Sequence, residues 1–254
     1  MSALIPTRTA DGSLTLFVPG LNEHYHSTHG ARQESAHVFI AHGLAPLLRA
    51  AAGSGPASGL NVLEIGLGTG LNAVLTLEAA RHARAAVSYA ALETVPLAPD
   101  VVAALATAYD SSETRPVTAG DAAPPPTGEL FRRLHAAPWG TRVMLSAGFD
   151  LTKWPRALET LGPAEAPLTP QTYQLIYFDA FAPQKQPELW TAAIFRQLYA
   201  AAVPGGVLVT YCAQGQFRRD LRAAGWRVEK LPGPPGKREM TRATKPGARP
   251  AAAP

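Results

Sequence analysis

From residue 61 to 243 the hydrophobic period switches repeatedly between two residues and about 3.6, and a chain patterned in this way closes its core as a mostly parallel sheet with helices on both faces. Strand-like runs at 61–65, 87–92, 141–147, 173–179, 206–211, 226–231 and 239–243 predict a seven-stranded sheet. Helical patterns at 71–82, 98–109, 129–136, 187–202 and 214–224 fall between them. Residues 1–50 form an N-terminal extension, with a strand at 13–18 and a polar loop entering a helix that ends near Leu48. The small residues of 51–59 read as a linker, the proline-rich 120–128 as a loop, and 244–254 as a disordered tail, which leaves 51–243 as the domain proper.

Where the first core strand meets its helix the chain reads Glu64-Ile65-Gly66-Leu67-Gly68-Thr69-Gly70-Leu71-Asn72. Glycines there let the backbone turn sharply and let a ligand lie against it with no Cβ in the way. The dinucleotide fingerprint places its third glycine three residues after the second, where this chain has Leu71; the spacing present, G-x-G-x-G, suits a nucleoside without a pyrophosphate. The second strand ends at Glu93, 23 residues after Gly70, near the spacing at which a carboxylate meets both hydroxyls of a ribose. Such a carboxylate repels phosphates, so the two features together suit S-adenosylmethionine better than a nicotinamide dinucleotide. A purely structural turn and an ordinary loop carboxylate would carry similar sequences. Glu64 has two readings, orienting the methionine end of the cofactor or capping the loop. Asp179 follows the apolar run 175–178 at the carboxyl end of the fourth core strand, in the crevice where doubly wound sheets hold ligands. A turn residue ahead of Pro183 is its plainer reading.

At 46% hydrophobic and 17% charged, 254 residues suit a single globular domain. The sole cysteine, Cys212, lies in an apolar run and reads as a half-buried strand thiol. With no apolar run long enough to cross a bilayer and no leader-like N-terminus, the chain is expected in the cytoplasm, away from membranes. Five of the seven histidines fall between His24 and His42 without the spacing of a ligand set, so no metal is expected. The net charge of +4 is uneven: from Arg218 onward ten Lys and Arg face three acidic residues, a local +7 that leaves −3 for the first 217. A basic end of this kind attracts nucleic-acid phosphates, and a solvated tail would have the same composition.

The segments DAFAPQKQPELW (179–190) and PGGVLVTYCAQGQFRRDLRAAGWRVEKLPGPPGKREM (204–240), with EIGLGTGLN (64–72) and YHSTHGARQESAHVF (25–39), closely resemble the tRNA 5-aminomethyl-2-thiouridine methyltransferases. The resemblance runs from Tyr25 to Met240 and implies a class I Rossmann-like fold that uses S-adenosylmethionine. The implied reaction methylates the exocyclic amine of 5-aminomethyl-2-thiouridine at the tRNA wobble position, giving 5-methylaminomethyl-2-thiouridine. Members of this family occur alone or fused to a flavin-dependent oxidoreductase. This chain is similar to the stand-alone form, which implies no flavin and an aminomethyl substrate supplied by a separate enzyme. The same fold and crevice would also serve a methyltransferase or aminopropyltransferase acting on a free small amine.

Carried onto this sequence, the resemblance implies that Asp179 is catalytic and that Glu64, Gly66, Gly68, Thr69, Gly70, Asn72, Glu93 and Asp150 hold the cofactor. Tyr25 and Glu34, in the extension, are expected to close over the cofactor and the flipped-out base, with Phe181 on the substrate side. Lys237 and Arg238, after the turn at 232–236, are expected to meet the phosphates of the anticodon loop. Asp150 marks a departure, because the family often shows Gly-Asp at the third strand's end and this chain has Gly148-Phe149-Asp150.

Overall fold

The structure, a computed structural model, describes residues 4–52, 59–112 and 127–247. Residues 53–58, 113–126 and 248–254 lie outside the described residues; of the expected linker at 51–59, residues 51 and 52 end a helix, and of the expected loop at 120–128, residues 127 and 128 open one.

The chain opens with an antiparallel sheet of three short strands, β1 (Ile5–Arg8), β2 (Leu14–Val18) and β3 (Glu23–His24). A continuous helical stretch follows: α1 (Ala31–Ser35), a π-helical segment (Ala36–Leu44) and α2 (Ala45–Ala52). The π-helical segment lies close on the main sheet, because Gly43 offers no Cβ where one would stand 3.0 Å from Val209 Cγ2. Then come β4 (Leu60–Ile65), α3 (Leu71–Ala83), β5 (Val87–Leu92), α4 (Pro99–Ser112), α5 (Thr127–Ala136), β6 (Val143–Ser146) and β7 (Phe149–Trp154). β8 (Tyr173–Phe178), α6 (Ala192–Ala201), β9 (Ala202–Thr210), α7 (Gly215–Ala223), β10 (Arg227–Pro232) and β11 (Glu239–Thr244) complete the described chain.

The main sheet has eight strands in the order β10-β11-β9-β8-β4-β5-β7-β6. Its centre, β9-β8-β4-β5-β7, is parallel, and β6, β10 and β11 run antiparallel to their neighbours. Successive residues of the central strands feed opposite layers, as the period of two requires. Val62, Tyr89, Leu175 and Tyr177 pack with Phe39, Val74 and Phe131 on one face. Leu63, Ile65, Ile176 and Phe178 pack with Phe195, Phe217 and Leu221 on the other. Each such fully buried side chain stabilises the fold by about 1.5–3 kcal/mol before entropy is subtracted. Because β4 pairs with β8 on one side and β5 on the other while the connections leave in opposite directions, a crevice opens at the carboxyl ends of these three strands.

The sheet has one strand more than the sequence pattern predicts. The run at 141–147 is the antiparallel edge strand β6, with Met144 70% exposed, and the chain turns at Gly148 to return as β7, which takes the parallel position beside β5. The end of the chain also differs from expectation. Thr244 pairs with Arg227 and Val207, and Lys245 donates from Nζ to the carbonyls of Tyr199 and Ala202 at 2.9 Å each. Residues 244 and 245 therefore belong to the packed sheet rather than to a free tail. Among the described residues no helix is long and apolar enough to cross a membrane.

Candidate active site

The glycine loop leaves β4 in a conformation that side chains resist. Gly66 has φ +87°, and a Cβ there would stand 2.7 Å from the carbonyl oxygen of Asp179, so the ends of β4 and β8 meet backbone to backbone. Gly68 has φ +52°, and the Tyr25 ring occupies the place a Cβ would need, at 2.8 Å. The Gly68 amide donates to Glu93 Oε2 at 2.8 Å, and the amides of Thr94 and Val95 donate to Oε1 at 2.8 Å each. Burial pushes the Glu93 carboxyl upward while those three N–H groups oppose it. The result is a carboxylate fixed at the end of β5 in the wall of a cavity of about 440 Å³.

Asp179 enters this cavity from the end of β8. Its Oδ2 accepts from Asn72 Nδ2 at 2.8 Å, and the same nitrogen donates to Glu64 Oε1 at 2.9 Å. Glu64 is fully buried and accepts from Tyr89 OH through its other oxygen at 2.9 Å. Burial raises the Asp179 carboxyl to about 7, Glu34 adds to the rise, and Asn72 and Lys237 act against it. Glu64 is likewise raised by burial, with the Asn72 hydrogen bond opposing it.

The opposite wall comes from the N-terminal segment and the turn between β10 and β11. Glu34, only 7% exposed, accepts from Ser27 N at 2.7 Å and from Lys237 Nζ at 2.5 Å. Lys237 Nζ also lies 4.1 Å from the centre of the Tyr211 ring, whose hydroxyl donates to the Ala180 carbonyl at 2.8 Å. Tyr25 meets Phe181 edge to face at 5.2 Å. Phe181 is itself held by both backbone groups: its amide donates to Gln186 Oε1 at 3.0 Å and its carbonyl accepts from Trp190 Nε1 at 2.8 Å. His26 also lines the cavity, its pKa lowered by burial to about 4, which leaves the imidazole neutral.

The cavity thus gathers Tyr25, Glu34, Gly66, Gly68, Glu93, Asp179, Phe181 and Lys237 from the residues marked in the sequence. Glu64, Thr69, Gly70 and Asn72 stand behind its surface: Thr69 is buried with its carbonyl near His135 Nε2 at 2.8 Å, and Gly70 turns the chain into α3 at φ +80°. Asp150 does not belong here. It aligns with Ser88 at the amino end of β5, at the other edge of the sheet from the crevice, and pairs with Arg142 at 2.5 Å. The Gly-Phe-Asp departure in the sequence has this physical meaning: Gly148 is the β6–β7 turn, so Asp150 begins a strand rather than ending one. Lys237 also differs from expectation, since its ammonium is engaged with Glu34 inside the wall rather than offered to an outer phosphate. Arg238 remains exposed on an adjoining groove with Gln214 and Glu239. Sequence reading missed Tyr211, whose only signal is its place just after the apolar run of β9, and Arg156 and Gln186, which carry none. Among the described residues no three His, Cys, Asp or Glu side chains are grouped to hold a metal ion.

A family model described as S-adenosyl-L-methionine-dependent methyltransferase matches residues 160–246. The tRNA 5-methylaminomethyl-2-thiouridine biosynthesis bifunctional protein MnmC of Ralstonia nicotianae is 32% identical over 250 residues, covering 95% of this chain and 34% of that protein. The chain is similar to the MnmC proteins, and the family model that matches it is that of S-adenosylmethionine-dependent methyltransferases. The corresponding protein of Pseudomonas aeruginosa, strain UCBPP-PA14, is 32% identical over 227 residues, 88% of the methyltransferase chain and 32% of its own length. The chain therefore spans about a third of the curated relatives it matches. In fold, the methyltransferase superposes on the crystal structure of MNMC2 from Aquifex aeolicus with a TM-score of 0.72 at 22% identity, over 100% of this chain and 74% of that one. The residues present fit the cofactor: a carboxylate that could meet ribose hydroxyls at Glu93, the glycine loop in the same cavity wall at Gly66 and Gly68, and a volume of the size small-ligand sites have.

Proposed function

We propose that this methyltransferase acts on the exocyclic amine of 5-aminomethyl-2-thiouridine at the wobble position of tRNA, giving 5-methylaminomethyl-2-thiouridine. The observation that carries this reading is the Asp179 carboxylate, placed in one cavity with Gly66, Gly68 and Glu93 on one side and the aromatic pair Tyr25 and Phe181 on the other. The names of the MnmC relatives supply the nucleoside, and the cavity supplies a carboxylate for an amine and rings for a base. When bound, the cofactor brings a methyl carbon attached to a positively charged sulfur.

Glu93, braced by the amide of Gly68, holds the nucleoside half of the cofactor. Tyr25 and Phe181 flank the flipped-out base, since aromatic faces receive an unstacked base without demanding a sequence. The attacking amine must present a lone pair, so it has to arrive as, or become, the neutral amine. Ionised Asp179 accepts one N–H, aligns the nitrogen and takes or relays the proton lost as the N–C bond forms. A carboxyl near 7 exists in both forms at neutral pH, which suits a group that first accepts and then releases a proton. Glu34 and Lys237 close the far wall and exclude water. Arg238, exposed on the adjoining groove, meets the RNA backbone. The aminomethyl group comes from a separate enzyme.

The test is to incubate the protein with S-adenosylmethionine and either tRNA bearing 5-aminomethyl-2-thiouridine or free diamines, then detect methylated products by mass spectrometry. Methylation of the tRNA nucleoside is expected. Methylation of the free amines alone would overturn the tRNA assignment.

A further inference from the structure

Asn72, the second residue of α3, is 2% exposed and lies outside the cavity surface between two carboxylates. Its Nδ2 has two hydrogens, and the two acceptors within reach are Glu64 Oε1 and Asp179 Oδ2, at 2.9 and 2.8 Å. Its Oδ1 is buried with no hydrogen-bond partner. The two carboxylates fix the amide's orientation, because a flip would set an oxygen against both and leave them without the Asn72 donor. Glu64 in turn has both oxygens engaged, one by Asn72 and one by the buried hydroxyl of Tyr89. Neither residue lines the cavity, and the donors of Asn72 and the oxygens of Glu64 all point along this line.

We propose that Asn72 is a positioning residue for Asp179: its amide, held from behind by Glu64 and Tyr89, ties Oδ2 in place and leaves Oδ1 to meet the substrate amine. The inference rests on the role given to Asp179 above. It reassigns Asn72 and Glu64 from cofactor binding to support of the reacting carboxylate. The Asn72 hydrogen bond also works against burial at Asp179, so its loss favours the protonated form that cannot accept from an amine.

The experiment uses the full chain labelled with carbon-13 at aspartate carboxyl groups, the Asp179 signal being assigned by its loss in Asp179→Asn. In the wild type the signal titrates near 7, and in Asn72→Ala its midpoint moves to higher pH. In parallel, methyl transfer to the modified tRNA is followed against pH at saturating cofactor, and S-adenosylhomocysteine binding is measured by calorimetry. Asn72→Ala is expected to lower kcat about tenfold or more and move the acid limb of the profile upward, with S-adenosylhomocysteine affinity unchanged. Tyr89→Phe, which removes one hydroxyl at the far end, is expected to act in the same direction to a smaller extent; if Asn72→Ala does not fold, this variant decides. An unmoved carboxyl midpoint with wild-type kcat, or a loss confined to S-adenosylhomocysteine affinity, would overturn the proposal. A wild type that forms no product while its Asp179 midpoint still moves in Asn72→Ala would sink the assigned reaction and leave the positioning role standing.

Discussion

On one side of the cavity Glu93 is fixed by three backbone N–H groups, from Gly68 in the neighbouring loop and from Thr94 and Val95 beside it. On the other side Glu34 is fixed by Ser27 N and by Lys237 Nζ, which stands 203 residues away in the chain. The first wall is made by loop geometry, with the donors supplied by the main chain whatever the side chains are. The second depends on two distant side chains meeting, and a single substitution removes it. The same molecule thus builds the Glu93 wall locally and the Glu34 wall by long-range assembly, with Asp179 in the same cavity.

Variants can break or sharpen that division. The largest effect is expected at the boundary: Asp179→Ala should lower single-turnover methyl transfer by about 10²–10⁴-fold, the range of a lost general base, while cofactor affinity holds. Glu93→Ala should weaken S-adenosylhomocysteine binding by about 10–100-fold through loss of charge-assisted hydrogen bonds, as calorimetry would show. Equal weakening in Glu34→Ala would mean that the two walls do not divide the work. Lys237→Met strands a buried carboxylate and should cost about 1–3 kcal/mol in urea denaturation, reduced from the cost of a fully buried pair because Lys237 keeps a third of its surface. The double variant Glu34→Gln with Lys237→Met should recover part of that loss.

A smaller effect follows from the titration of Asp179. Its folded pKa of about 7 lies above the unfolded value of about 3.9, so between those pH values the unfolded chain has released a proton that the folded chain retains. Stability contributed at this site therefore falls as pH rises through that window and levels off above it. Asp179→Asn should be more stable than wild type by about 1–2 kcal/mol at pH 8 and by little at pH 4, measured by thermal unfolding across the range. An advantage that does not grow with pH would contradict the burial of this carboxyl. The smallest effect belongs to Asp150→Asn, which removes an exposed ion pair and should change stability by less than about 0.5 kcal/mol without touching cofactor affinity.

What could be read from the sequence followed the same division. The turn from β4 through Gly66, Gly68 and Gly70 into α3, and the acidic end of β5, are local patterns, and the structure places them where the spacing predicts. The place of Asp179 was legible because it follows the apolar run 175–178 at the carboxyl end of its strand. β7 was hidden because it reads Phe149-Asp150-Leu151-Thr152-Lys153-Trp154, and its Lys153 is buried outright, satisfied by the His135 carbonyl at 2.9 Å and lying 4.5 Å from the Trp139 ring centre. Its ammonium, lowered to about 8 by burial, is the reverse of what a core-strand pattern leads one to expect. No spacing rule pairs Glu34 with Lys237, or sets Asn72 against an aspartate 107 residues on. Those contacts exist only once the sheet has assembled.

The measurement that tests the central claim most directly compares two aspartates at opposite ends of the same sheet. Asp179→Ala and Asp150→Ala each remove one carboxylate from the main sheet, the first at its carboxyl ends and the second at its amino ends, and single-turnover transfer from S-adenosylmethionine to tRNA bearing 5-aminomethyl-2-thiouridine is followed by mass spectrometry of the digested nucleosides. Loss of the methylated nucleoside in Asp179→Ala, with wild-type turnover in Asp150→Ala, is the predicted result. Equal turnover in the two variants would contradict the assignment of chemistry to the carboxyl end of β8.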